Sequence, residues 1–487
     1  MKIRRFICLF IALMFILSVA ACANGANETE GSTSAQAQAD TDPVAEVTTE
    51  REKYDKNGYL LDDIPDTLKL NTEIKLLYWS DVENVEFFVD EETGDAVSDA
   101  IRTRTLRTEE RLGVTFNYVG TPGNFQNNDA FVSTAINAKN NGDEFDLYAA
   151  YSMTTASLAH KGLCRDLNKL ETINFSQPWW PSKLIDEALI GNKLFFASGD
   201  LSTNMLYMMY TFFFNKDLLT QYNLESPYEL VDSNGWTLSK MFEMSKVLDS
   251  AGSSGTTDKI YAFTTSSDVH LDPFYFGAGL HILERDDQGN PVVSKDVRSA
   301  LAQDVAEQVQ DYLHLDYCTW TDTTNLFAAG QVLFTCNRAR YASASLSSVS
   351  FDYGVLPAPK YSPDQESFVT ILGFPYTLYA VTDSSTQPDA ASAVLECLCS
   401  EGYRLITPAL FELSMKIRYS TDNDASRMFQ AIRDNISFDL GRIFTSSLEN
   451  YPYSTFRAAV KAETSNRSYS TRAKEAESKM KKLSDSL

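Results

Sequence analysis

The chain has 487 residues, with 42 Lys and Arg against 66 Asp and Glu and a formal net charge of −24. Hydrophobic residues at 44% and aromatics at 12% supply core for two or three domains and exclude a wholly disordered or fibrous chain. The acidity argues against nucleic acid as a partner, because the basic stretches 102–111 and 474–482 interleave acids at helical spacing and read as solvated helix faces.

Residues 1–21 have the form of an export signal, with Lys2, Arg4 and Arg5 ahead of an apolar run over 6–19. That run is short for a membrane-crossing helix of about 20 residues. Val19-Ala20-Ala21-Cys22 then fits the bacterial lipobox: aliphatic, small, small, Cys. The small residues admit the signal peptidase, and the Cys22 thiol receives the lipid anchor. An ordinary secretory signal with a chance Cys is the alternative. Cleavage removes three bases and no acid, leaving 39 bases against 66 acids, or −27. Residues 23–50 carry six acids, no base and no aromatic, so they cannot offset ordering entropy. Residues 22–70 are expected to be a disordered acidic tether with a reach of roughly 35–40 Å. Folding is expected to begin near 66–71.

Five cysteines remain after Cys8 and Cys22, an odd number without the spacing of a disulfide framework. Cys397 and Cys399 stand two apart in a helical run and point to different faces. His160, His270, His281 and His314 form no zinc motif, so no metal and no cofactor is implied.

Along the chain, strands are predicted at 73–79 (EIKLLYW), 114–119 and 145–150, and helices at 95–112, 128–139 and from 156 to 160. This βαβ succession implies a parallel sheet with helices on both faces, and ligands bind at the carboxyl ends of such strands. Trp79, Ser80, Asp81, Tyr151 and Ser152 follow strands and become candidates. The second half repeats the style. A strand is predicted over 206–214 (LYMMYTFFF), and Thr237 caps a helix over 240–248. Further strands are read at 261–264, 332–335, 354–356 and 376–381. Helices are read at 295–312 and 388–400. The length calls for two α/β lobes rather than one open sheet.

The string Tyr210-Thr-Phe-Phe-Phe-Asn-Lys-Asp-Leu-Leu219 with Gly235-Trp236-Thr237 resembles the "YNKDLF … TWDE" stretch of bacterial family 1 extracellular solute-binding proteins. The segments at 327–334 (FAAGQVLF), 353–360 (YGVLPAPK) and 163–167 (LCRDL) resemble further motifs of that family in the same order. Residues 413–441, with Tyr419-Ser420-Thr421-Asp422 and Phe438-Asp439-Leu440-Gly441, look like its large lipoprotein subgroup. One departure is Thr237-Leu238-Ser239-Lys240 where the family carries "TWDE", on a surface helix.

The resemblance implies an α/β, two-lobe periplasmic-binding-protein (class II, Venus-flytrap) fold with three inter-lobe crossings, near 205–209, 368–374 and 411–417. Lobe 1 is then 71–206 with 371–413, and lobe 2 is 207–370 with 414–487. It implies a monomeric, non-enzymatic, lipid-anchored binding component on the extracellular face of the cell membrane. Its ligand is expected to be a small-molecule solute, a carbohydrate, delivered to ABC-transporter permease subunits by ligand-stabilised hinge closure. Peptides or other small polar solutes are the alternative ligands. A lipid-anchored glycoside hydrolase is the remote alternative, although no signature places its two carboxylates.

Sugar recognition needs flat apolar faces and planar polar groups. Besides the five strand-end residues, the candidates are Thr265 and Ser266 after a lobe-2 strand, and Asn337, Arg338 and Tyr341 after another. Gly373, Phe374 and Tyr376 stand at the second crossing, and Asp200 ahead of the first. A packed Trp, a helix cap or a surface ion pair would equally account for several of these. Trp179-Trp180 would line the cleft or, more simply, pack a loop onto lobe 1.

Overall fold

A computed structural model describes residues 52–249, 259–419, 423–462 and 469–484, without the side chains of 412–423 and 483–484. The expected signal, Cys22, the spacer to residue 50 and the third crossing's side chains beyond Phe411 lie outside the described residues, as do Ser420–Asp422. Lys53–Leu487 form one unit.

Its elements, in chain order, begin with β1 (Thr72–Trp79), α1 (Ala96–Leu112), β2 (Val114–Thr121), α2 (Asn128–Asn141), β3 (Leu147–Tyr151) and α3 (Ser152–His160). After α4 (Leu184–Ala188) come α5 (Thr203–Tyr207), β4 (Tyr210–Asn215), α6 (Lys216–Gln221), α7 (Pro227–Asp232), α8 (Leu238–Ser245) and β5 (Tyr261–Thr264). Next are α9 (Asp272–Gly277), β6 (Leu283–Arg285), β7 (Pro291–Val293), α10 (Ala300–Leu313), β8 (Cys318–Thr319) and β9 (Val332–Arg338). The chain closes with α11 (Tyr341–Ser345), β10 (Tyr353–Leu356), β11 (Thr377–Val381), α12 (Pro388–Tyr419), α13 (Asn423–Asp434), α14 (Leu440–Ile443), α15 (Tyr451–Val460) and α16 (Tyr469–Ser484).

Two sheets organise these elements. The first has the order β11-β3-β1-β2, with β1 parallel to β2 and β3 and with β11 antiparallel to β3. Asp95 caps α1, and Gly113 ends it at φ 65°, a left-handed turn that lets β2 start at the next residue. The second sheet has the order β10-β4-β9-β5-β8, antiparallel at β10-β4-β9 and parallel at β9-β5-β8. Both sheets are therefore mixed. In each, an antiparallel strand that follows a crossing returns along a neighbour, which a βαβ pattern alone does not disclose.

Several boundaries differ from expectation, each for a local reason. The strand expected over 206–214 is split: Ser202 caps α5 by accepting from the Met205 N–H, and β4 starts only at Tyr210. An all-apolar run carries no period to separate helix from strand. The helix expected over 295–312 begins properly at Ala300, because Ser299 accepts from the Ala302 N–H and restarts the turn. α12 continues well past residue 400, through Pro408. The tether expected to reach residue 70 stops earlier. Asp62 is buried, and both its oxygens lie 2.6 Å from the Arg111 guanidinium. A paired, desolvated carboxylate ties this segment to α1.

Trp179 and Trp180 are buried and donate their indole N–H groups to the two oxygens of Glu396 on α12, at 3.0 and 2.9 Å. The pair packs a loop onto α12. All five described cysteines are buried and unbridged. Among the described residues no helix is long and apolar enough to cross a membrane. No group of three or more His, Cys, Asp or Glu among them is placed to hold a metal ion.

Candidate functional site

The ends of β1 and β3 meet the start of β11, because the antiparallel register sets Thr377 opposite Tyr151. Trp79 is buried there, its indole N–H donating to Thr377 Oγ1 at 2.9 Å and its ring 5.4 Å from that of Tyr151. Ser152 opens α3, donating its hydroxyl to the Phe374 carbonyl at 2.7 Å and its N–H to the Tyr376 carbonyl at 3.0 Å. Burial pushes the Tyr151 hydroxyl well above its ordinary value, so it stays a donor at neutral pH.

The second sheet brings its own junction to the same place. Tyr210 at the start of β4 pairs with Arg338 at the end of β9. The two connecting segments lie side by side, Met209 bridging Leu372 and the Gly373 N–H donating to the Met208 carbonyl at 2.7 Å. Gly373 lets the Arg338 side chain lie close to the backbone: a Cβ there would stand 2.8 Å from Arg338 Nε and push that side chain aside. Beneath lies Asp272, 2% exposed, bound by Arg442 of α14 at 2.7 Å and by Arg457 of α15 through two contacts of 2.6 Å. Burial opposes ionisation of Asp272, but Arg457 and Arg442 outweigh it and hold the carboxyl below its ordinary value. The Arg442 guanidinium lies 4.4 Å over the Phe374 ring, and that of Arg457 lies 4.1 Å over Tyr453. The Phe374 and Tyr453 rings are 5.7 Å apart. His270 stands edge-on to Tyr210 and bonds Thr265 Oγ1 at 2.8 Å. Burial, and then the charge of Arg338, press His270 down to about 3, so it is neutral at pH 7.

Trp79, Tyr151, Ser152, Arg338, Gly373, Phe374 and Tyr376 therefore converge, with Arg442, Tyr453 and Arg457 added by the C-terminal helices. The space enclosed between Ser152, Phe374, Tyr376, Asp439 and Arg442 is about 10 Å³, room for a single water. That space as it stands is too small for a sugar ring. Glu83, just beyond β1, spans them, pairing with Arg340 and with Arg338 at 3.6 Å.

The remaining candidates are placed otherwise. Asp81 is a turn-former: its carboxylate accepts from the Gly123 and Asn124 N–H groups and from Asn127 Nδ2, fixing the entry to α2. Ser80 is exposed and only donates its N–H to Thr121. Thr265 is buried behind the site against His270, and Ser266 is exposed beside it. Asn337 accepts the Arg338 N–H with its own side chain. Tyr341 is buried in the second lobe's core against Phe213 and Phe327, its hydroxyl on Asn325, so it does not reach the site. Asp200 lies in another place: fully buried, it takes Arg433 of α13 through two contacts of 2.6 and 2.7 Å. The pair borders a separate cavity of about 770 Å³ lined by Trp180, Tyr403, Pro408 and Phe411.

Glu83, Asp272, Arg442, Tyr453 and Arg457 escaped the sequence reading. A signal did exist for the last two: Tyr453 and Arg457 stand at i and i+4, beside the apolar positions Phe456 and Val460 of α15.

Residues 108–403 match the family described as bacterial extracellular solute-binding protein. The chain belongs to that family. Among solved structures, this solute-binding protein is similar to the cyclic alpha-maltosyl-1,6-maltose binding protein from Arthrobacter globiformis. They share 13% identity and a TM-score of 0.58, over 85% of this chain and 98% of that one. It is also similar to UgpB from Mycobacterium tuberculosis in complex with glycerophosphocholine, at 14% identity and TM-score 0.55, over 85% and 98% of the two chains. The maltose complex of MalE from Listeria monocytogenes matches at 13% identity and TM-score 0.55, over 85% and 97%. No curated protein sequence matches the chain. At such identities the solved structures establish the two-lobe fold. The solute-binding protein thus has its converging residues at the junction of its lobes.

The Glu83 contact gives a first expected outcome. Glu83 and both arginines are partly exposed, so the pair is worth about 0.5–1 kcal/mol. Glu83→Ala is expected to raise the open fraction of the ligand-free protein about two- to five-fold. Fluorescence energy transfer between labels on the two lobes measures it; an unchanged distribution would show that Glu83 does not hold the lobes.

Proposed function

We propose that this protein is the extracellular, lipid-anchored binding component of an ABC importer. It captures a carbohydrate, an oligosaccharide, between its lobes and presents it to permease subunits. The observation that carries this reading is the wall of Trp79, Tyr151, Phe374 and Tyr453 at the junction, ringed by Ser152, Arg338 and Arg442. Flat rings suit the CH face of a pyranose and the fixed donors suit its hydroxyls. The sugars named for the similar Arthrobacter and Listeria proteins agree with it.

Domain limits follow the same reading. Residues 1–21 are the signal, Cys22 carries the lipid, and an acidic spacer leads to a folded part that starts near Lys53. Lobe 1 takes 71–206 and 371–413, and lobe 2 takes 207–370 and 414–487. Closure works by differential affinity: a solute that touches both lobes stabilises only the closed form, and the permease reads that form. Arg338 favours one further reading, an acidic peptide or another small polar anion in the same cleft. A thermal-shift screen of saccharides against peptides separates the two. Stabilisation by a saccharide supports the proposal; stabilisation by peptides alone rejects it. Radiolabelled palmitate incorporated by the wild type and lost in Cys22→Ser tests the anchor.

A further inference from the structure

Arg338 is the least satisfied cation in the site. Its side chain is 22% exposed, its Nε is buried without a hydrogen-bond partner, and its ion pair with Glu83 is 3.6 Å long, beyond hydrogen-bond reach. The neighbouring Tyr210 hydroxyl is likewise buried and unpartnered. Both belong to one register pair of β4 and β9, so the two orphaned donors stand together. Orphaned buried donors are costly and uncommon, so the unpartnered Arg338 Nε beside the unpartnered Tyr210 hydroxyl marks a place for an acceptor. The other guanidinium groups differ, since Arg442 and Arg457 are held by Asp272 and Arg340 by Glu83. The absence of a side chain at Gly373 leaves room for Arg338 Nε, which a Cβ there would approach to 2.8 Å.

We infer that the captured solute is an acidic carbohydrate, a sugar bearing a carboxylate or phosphate, whose anionic group is taken by Arg338 with the Tyr210 hydroxyl as second donor. A bidentate guanidinium–oxyanion contact matches the Arg338 fork and, being charge-assisted, is about twice as strong as a contact to a neutral hydroxyl. The inference rests on the carbohydrate reading and narrows it. Glu83 occupies the outer side of Arg338 until the anion arrives.

Matched probe pairs test it by calorimetry: a glucuronate-ended disaccharide against the same disaccharide ending in glucose, and glucose 1-phosphate against glucose. The wild type is expected to bind one acidic member at least ten-fold more tightly than its neutral partner; which pair responds tells carboxylate from phosphate. Arg338→Gln is expected to bring the ratio to about one, and Arg338→Lys to keep part of it. Should the Gln variant fail to fold, the wild-type ratio and the Lys variant still decide. A wild type that binds the neutral members equally well overturns the inference and leaves the carbohydrate reading standing. An acid preference that survives in Arg338→Gln overturns the assignment to that residue. No binding by any of the four sugars also overturns the inference, and the saccharide panel then decides the carbohydrate reading by itself.

Discussion

Asp272→Ala is expected to lower stability by about 3–5 kcal/mol, because it leaves two buried guanidinium groups with no counter-charge. Asp272 is 2% exposed, and its oxygens take three contacts of 2.6–2.7 Å from Arg442 and Arg457. A loss of that size is a large share of a typical stability of about 5–15 kcal/mol. The effect reaches the site as well. Arg442 also donates to the Leu372 carbonyl at 2.9 Å and lies on Phe374, while Arg457 lies on Tyr453. Without Asp272 both cations are free to turn away, and the aromatic wall loses its backing. Asp272→Asn keeps an acceptor but no charge, and is expected to fall between. Urea unfolding followed by tryptophan fluorescence measures both variants. An Asp272→Ala protein as stable as the wild type would mean that the arginines do not depend on this carboxylate.

Glu396→Ala is expected to cost about 3–5 kcal/mol by a different route. It strands the indole N–H groups of Trp179 and Trp180 and the Asn174 N–H, all of which donate to Glu396. Each buried donor left unsatisfied costs about 1–3 kcal/mol. Glu396→Gln keeps one oxygen for one indole but turns an amide N–H toward the other, so it is expected to lose about half as much. The pH dependence offers a second check. Burial raises Glu396 to about 7, against which the indole donors only partly act. The folded state therefore holds this proton more tightly than the unfolded one, and unfolding releases it between about pH 4.5 and 7. The contribution of Glu396 to stability is full below that window and declines as pH rises through it. In Glu396→Ala the fall of stability from pH 5 to 7 is expected to be shallower. An unaltered slope would place the titration on another group, such as Asp439, which burial raises to about 6.

The first lobe was readable because its signals were local. The run at Thr72–Trp79, the cap at Asp95 and the stop at Gly113 each declare themselves within a few residues. The crossings were readable only in part. The run Leu206–Phe214 is apolar or aromatic except for Thr211, so no period marks where α5 ends and β4 begins. Among the residues that meet at the junction, those at strand ends were accessible to a positional rule, and Trp79, Tyr151, Ser152 and Arg338 follow it. Asp81 obeyed the same rule and serves a turn instead, because neighbouring backbone N–H groups claimed its carboxylate. Tyr341 stands just past β9, but its helix turns the ring inward onto Phe213. Arg442 and Arg457 were hidden for a different reason. Their partner Asp272 is 170 and 185 residues away along the chain, and no local pattern encodes such a pairing.

In the proposed function the lobes hold a carbohydrate without altering it. Isothermal titration calorimetry of the protein with a saccharide panel tests this most directly, since binding and turnover differ in the shape of the heat. A saturable, one-to-one heat with at least one saccharide is expected, with a flat baseline after each injection. A baseline that stays displaced while substrate is consumed, or saturable heat with peptides alone, would contradict it.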